Sequence, residues 1–203
     1  GIYLHAGPEI AVASTKALTT MGIAFGMLAL LLGRVRDLSV SDGQRIISGL
    51  QRLPAQIRQI LDGEAEIAEV AKQLSIAQSI FFIGRVRGFP VAREGAQKLK
   101  EVSYIHAEAY QTSELKHGPL ALINPEMPTV AIIPDDALAS RNLGAAEQVL
   151  ARRGPLVAIT HPGVDLGPLG VPALVVPKNE PELDPILLTI PLQLLAYHAS
   201  LAL

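Results

Sequence analysis

The chain has no cysteine and no tryptophan, and only 4% of its 203 residues are aromatic. Without cysteine there are no disulfides and no thiolate chemistry, which is compatible with a reducing cytoplasm. So few aromatics make a stacking platform for single-stranded nucleic acid a poor expectation. Neither sign of charge is in excess: 17 Lys and Arg face 19 Asp and Glu, for a net charge of −2. Nothing in that balance calls for nucleic acid or an anionic membrane as a partner. There is no initiating Met and no basic stretch leading into an apolar core, so no signal peptide is read at the start. The last residues, LLAYHASLAL, are apolar and carry no helix stop signal. The expectation is a piece of a longer protein.

What is present is apolar: 49% of the residues are hydrophobic, enough for one large or two small domains. Gly1 to Pro8 reads as a short strand, IYL, and a turn. Ser14 is the expected N-cap of a helix running from near Thr15 to about Leu32. Its unbroken apolar run falls short of the roughly 20 residues that a bilayer requires, and Gly22, Gly26 and Gly33 suit a helix packed closely inside protein. Ser41-Asp42-Gly43 reads as a turn or cap, followed by a helical pattern interrupted at Pro54 and a short helix from Glu64 to Leu74.

From Ser79 the pattern changes. SIFFIG, TVAIIP, PLVAIT and ALVVP are continuous apolar runs of the kind found in buried parallel strands. Helical stretches separate them: one after GRVRGFP, one over Ala137 to Arg153 capped by Asp135 or Asp136, and one opened by Asp184-Pro185 that Pro191 would kink. Strands alternating with helices predict an α/β fold with a parallel sheet and right-handed crossovers. Ligands of such sheets bind beyond the carboxyl ends of the strands, where Gly84-Arg85 falls. Gly84, Val86 and Gly88 do not make a dinucleotide fingerprint, because Val86 stands where the second Gly would be.

The richest stretch is Glu94 to Pro119, EGAQKLKEVSYIHAEAYQTSELKHGP. At about 100° per residue, Glu94, Lys98 and Glu101 fall within a wedge of about 60° on one helix. By spacing alone this is the solvated arc of an amphipathic helix with one Glu–Lys pair. The segment after Tyr104 has neither a period of two nor of 3.6 and reads as loop, where reactive groups tend to sit. Gly118-Pro119 fixes the backbone after His117, and imidazole is the side chain best suited to proton transfer near neutral pH. The other histidines do not form a metal site by spacing: His106 with Glu108, and His198, read as satisfied structural groups, and His161 beside Pro162-Gly163 as a turn residue.

EGAQKLKEVSYIHAEAY with ELKHGPLALI resembles the sugar isomerase (SIS) domain of the glutamine–fructose-6-phosphate aminotransferases, and GPEIAVASTKALTT, GRVRGFPVAREGA and PLQLLAYHASLAL agree with it in the same order. The resemblance implies a three-layer α-β-α fold of Rossmann-like type. It divides the chain into a remnant of a first SIS module (1–39), a helical connector (40–71) and a second SIS module (72–203). It implies that fructose 6-phosphate is opened, aminated and isomerised to glucosamine 6-phosphate, with no cofactor and no metal, in a cytoplasmic homodimer. Glu101 matches the proton-transferring Glu, and His117 the ring-opening His, which acts across the dimer interface in the partner's site. Val12, through its backbone, and Ser14 match contacts to the sugar phosphate; Glu94 and Lys98 match residues lining the same pocket. Val86 departs from the GRG common at that turn.

The family's glutaminase half uses an N-terminal Cys that is absent here. Its Ser/Thr-rich phosphate loop would precede Gly1, and its imine-forming Lys would follow Leu203, so these 203 residues alone are expected to be inactive in aminotransfer. Three other readings stay open on the sequence: a glucosamine 6-phosphate deaminase or related SIS-fold sugar-phosphate isomerase, a non-catalytic phosphosugar-binding SIS module, and a fragment with only a structural, dimer-forming role.

Overall fold

The computed structural model describes all 203 residues. Six α-helices and five strands follow the order α1 (Lys16–Val35), α2 (Val40–Asp62), α3 (Glu64–Ser75), β1 (Ser79–Gly84), α4 (Gly88–Ser103), β2 (His106–Gln111), β3 (Thr129–Ile133), α5 (Ala139–Ala151), β4 (Leu156–Thr160), β5 (Ala173–Val175) and α6 (Asp184–Leu201), with one 3₁₀ turn at Pro119–Leu122. The strands form one parallel sheet in the order β2-β1-β3-β4-β5. The direction of winding reverses between β1 and β3.

Alternation along the strands divides the core between two faces. Ile80 and Phe82 of β1, Val130 and Ile132 of β3 and Ile159 of β4 join the larger cluster, with Val91, Ala92, Ala96 and Leu99 of α4, Val70 and Leu74 of α3 and the inner surface of α6. Phe81, Ile83, Ala131, Ile133 and Ala158 face Ala145, Ala146 and Val149 of α5, together with Leu115 and Ile123 from the segment after β2. The result is the expected three layers, with α6 buried along most of its length between the sheet side and the outer helices.

Several local expectations are corrected. IYL forms no strand. Ser14 does not cap α1; the Glu9 carboxylate does, accepting from the N–H groups of Thr15 and Lys16 at 2.8 and 2.6 Å. The α2 cap is Ser39, whose Oγ accepts from the Asp42 N–H at 3.0 Å. Pro54 leaves α2 continuous over 23 residues, and Leu53 beside it is almost wholly buried in the core. The Asp184 carboxylate reaches back to the Asn179 N–H at 2.7 Å rather than forward into α6. His106–Gln111, expected as loop, is the edge strand β2.

No residue of α1 is buried, contrary to the expectation of a helix enclosed by protein. One side rests on α6, where Gly22 and Gly26 meet Ile186 and Leu183. Phe25, Met27, Leu31 and Leu32 stand exposed. The helix is 20 residues long with a mean hydropathy of 1.7, which is long and apolar enough to cross a membrane by those two measures. The second outer helix, α2, is clipped to the loop before α6: Arg45 and Arg52 meet Glu180 at 2.5 and 2.8 Å, and the Asn179 side chain donates to the Gly49 carbonyl at 3.0 Å.

Candidate active site

Helix α4 enters from a tight turn. A side chain at Gly84 would lie 2.3 Å from the Gly88 carbonyl oxygen, so only glycine fits there. Val86 has φ +48°, in the left-handed region that a β-branched residue adopts only under strain. The helix then packs against β1 and α6 at Gly95, where an added Cβ would be 2.7 Å from Leu192 and 3.0 Å from Phe82. It ends at Tyr104, whose φ of +60° turns the chain into β2. This close seating decides the environment of the charged wedge.

Lys98 is not on a solvated face. It is 4% exposed, and its Nζ lies 2.8 Å from Glu101 Oε2 and 3.5 Å from Glu94 Oε1. Gln97 Nε2 donates to the other Glu101 oxygen at 3.0 Å. One ammonium thus serves two carboxylates, and they respond in opposite directions. Hydrogen bonds from Lys98 and then Gln97 hold the Glu101 carboxyl below the usual carboxylate range. Burial pushes Glu94 up, outweighing Lys98, and its Oε1 has no hydrogen-bond donor. Glu94 is the more enclosed of the two, so desolvation dominates there and pairing dominates at Glu101. The arrangement can hold an ionised carboxylate at the helix surface with an ammonium behind it.

Ser14 and Val12 lie in the loop before α1. Gln193 Nε2 of α6 donates to the Thr15 carbonyl at 3.4 Å, while the adjoining Leu192 meets Gly95, next to Glu94. Adjoining residues of α6 thus contact the start of α1 and the middle of α4. Val12 is exposed; Ser14 is half-buried and donates to Glu9 Oε2 at 3.2 Å.

His117 is not brought to this cluster. Glu101 precedes the start of β2 and His117 follows its end, and six residues of strand separate those ends by about 20 Å. The His117 ring is exposed, and only its backbone N–H is bonded, to Glu114. Of the remaining histidines, His198 pairs with Glu64 at 2.8 Å and His106 Nδ1 meets Ser79 Oγ at 2.7 Å, which accounts for both structurally. His161 opens a turn as expected, its carbonyl accepting from the Val164 N–H at 3.2 Å, and its ring is fully buried at the end of β4. Its Nδ1 accepts from the Asp135 N–H at 3.0 Å, so the neutral ring carries its proton on Nε2, 3.6 Å from Asp184 Oδ1. Burial lowers the His161 pKa and raises that of Asp184 to about 6. No three His, Asp or Glu side chains converge as a metal ligand set.

Sequence reasoning missed Glu9 and Gln97. Gln97 carries a readable signal, since it stands four residues before Glu101. Glu9 has none, because its partners lie five to eight residues on, across an irregular loop.

A family model described as SIS domain matches residues 73–203. The chain belongs to the SIS domain family. Among curated relatives of this SIS chain, a glutamine–fructose-6-phosphate aminotransferase (isomerizing) of Thermus thermophilus is 43% identical over 204 residues, covering all of this chain and 34% of that protein. Among solved structures, the C-terminal domain of glucosamine-fructose-6-phosphate aminotransferase from Francisella tularensis superposes with a TM-score of 0.91 at 36% identity, over 97% of this chain and 56% of that one. Glucosamine-6-phosphate deaminase from Thermotoga maritima shares the fold alone, with a TM-score of 0.67 at 19% identity over 96% of this chain and 54% of that one. The SIS chain described here spans about a third of the length of the curated relatives it matches.

Proposed function

We propose that this chain is the sugar-phosphate isomerase part of a glutamine–fructose-6-phosphate aminotransferase. Residues 1–39 would complete a first SIS module, 40–71 would connect, and 72–203 would form the second. The full protein would be a cytoplasmic homodimer with a glutaminase domain upstream. The identity with aminotransferases across the whole chain supports this over the deaminase, whose likeness is confined to the fold.

The observation that carries the chemical reading is the Lys98 ammonium buried between Glu94 and Glu101. Ammonia adds to the C2 ketone of the opened sugar and water leaves, giving an imine. Isomerisation then takes a proton from C1 and delivers one to C2, while the O1 hydroxyl gives up its proton and the nitrogen gains one, leaving a C1 aldehyde and a C2 amine, so one base must reach both carbons. Glu101 suits that role, because it is held ionised, its two oxygens are fixed by Lys98 and Gln97, and it remains partly open at the helix surface. Lys98 and Glu94 orient it and set its acidity. Val12 and Ser14 hold the sugar phosphate beside α6. His117, on the far side of β2 in the chain from Glu101, opens the ring in the site of a partner copy.

The test is production of glucosamine 6-phosphate from fructose 6-phosphate and glutamine by the full-length protein. Formation of that product is the expected result. Conversion of glucosamine 6-phosphate to fructose 6-phosphate and ammonia with no use of glutamine would overturn the proposal in favour of a deaminase.

A further inference from the structure

The loop that presents Val12 and Ser14 is fastened by a single side chain. Glu9 Oε1 accepts from the backbone N–H groups of Thr15 and Lys16 at 2.8 and 2.6 Å. Its Oε2 accepts from the Ala17 N–H at 3.4 Å and from the Ser14 hydroxyl at 3.2 Å. The three N–H groups are those that a helix start leaves without partners, and they gather at the positive end of α1. Thr15, at the N-cap, supplies no side-chain cap of its own. Lys16 Nζ closes the other side of the loop on the Pro8 carbonyl at 2.9 Å. Between these ties Ala13 is buried and Val12 points outward.

We propose that Glu9 is the positioning residue of the sugar-contact loop: it fixes the Val12–Ser14 backbone against α1 and turns the Ser14 hydroxyl so that its oxygen faces the ligand as an acceptor. The inference rests on the reading of Val12 and Ser14 as sugar contacts given above. The Ser14 proton is spent on the Glu9 carboxylate, which leaves the hydroxyl oxygen free to accept from a sugar hydroxyl.

The full-length protein with Glu9→Ala is compared with Glu9→Gln and Ser14→Ala by steady-state kinetics. Loss of several hydrogen bonds to a charged group predicts a KM for fructose 6-phosphate raised about tenfold in Glu9→Ala, with the KM for glutamine unchanged. Glu9→Gln keeps one acceptor and falls between. Acetate, but not chloride at the same ionic strength, returns the Glu9→Ala KM toward the parent value by taking the place of the lost carboxylate. Glu9→Ala and Ser14→Ala together cost little more than either alone, since they act through one contact. An unchanged sugar KM in both Glu9 variants, or full additivity with Ser14→Ala, overturns the inference. If Ser14→Ala alone leaves the sugar KM unchanged, the underlying reading of the loop fails first, and the inference with it.

Discussion

Replacing Lys98 by methionine tests whether the charged wedge of α4 is an ion network enclosed by protein. The substitution keeps an unbranched side chain, one atom shorter, and removes the ammonium that lies 2.8 Å from Glu101 and 3.5 Å from Glu94. Removing one partner of a fully buried pair costs about 3–5 kcal/mol. Here the two carboxylate side chains retain 17% and 23% exposure, so solvent takes up part of the loss and about 2–3 kcal/mol is the expected cost at pH 7. For a chain of this size that lowers the melting temperature by roughly 4–12 °C. The pH dependence follows from the opposite shifts of the two carboxylates. Glu101, held low, contributes stability above its unfolded pKa and loses it as the pH falls through its folded value. Glu94, pushed up by burial, costs stability while ionised and is relieved as the pH falls. Without Lys98 the first contribution is lost and the second cost grows, so the penalty is greatest at neutral pH and shrinks toward pH 4. Thermal melts of both proteins between pH 8 and pH 4 measure this. Equal melting temperatures at pH 7, or a deficit that does not change with pH, would refute the network.

Val86→Gly relieves the left-handed strain of the turn before α4 and offsets the extra freedom of the unfolded chain, for a gain of about 0.5–1 kcal/mol seen as a higher melting temperature. Gly95→Ala forces a methyl group to within 2.7 Å of Leu192 and costs about 1–3 kcal/mol in denaturant unfolding, with a displaced α4 that also lowers turnover. Asp184, whose carboxyl is pushed up to about 6 by burial, costs stability when ionised. Asp184→Asn therefore stabilises at pH 8 by up to about 3 kcal/mol, and the advantage falls away as the pH drops below 6, where the parent carboxyl is itself neutral.

The sheet was legible because parallel strands covered on both faces must be apolar throughout, and β1, β3 and β4 read so. Strand β2 was not, because it lies at an edge: His106 and Glu108 are exposed on one face, Gln111 is exposed at the strand end, and Ala107 and Ala109 fill the inner face, giving neither an apolar run nor a strong β-former pattern. The wedge Glu94–Lys98–Glu101 was visible as spacing, yet its burial was not. A helical wheel assigns Lys98 to the polar arc, and only the seating of Gly95 on Leu192 and Phe82 draws that arc inward. The helix starts failed for a related reason. Ser14 and Asp184 are good capping residues by type, but their side chains serve Glu9 and Asn179, groups that no local rule connects to them.

The most direct measurement is turnover of the full-length protein carrying Glu101→Gln, with both half-reactions followed together. The account predicts that glucosamine 6-phosphate formation is lost while glutamine hydrolysis is largely kept, since the change removes only the base that moves the sugar proton. Aminosugar formation at the parent rate would contradict it.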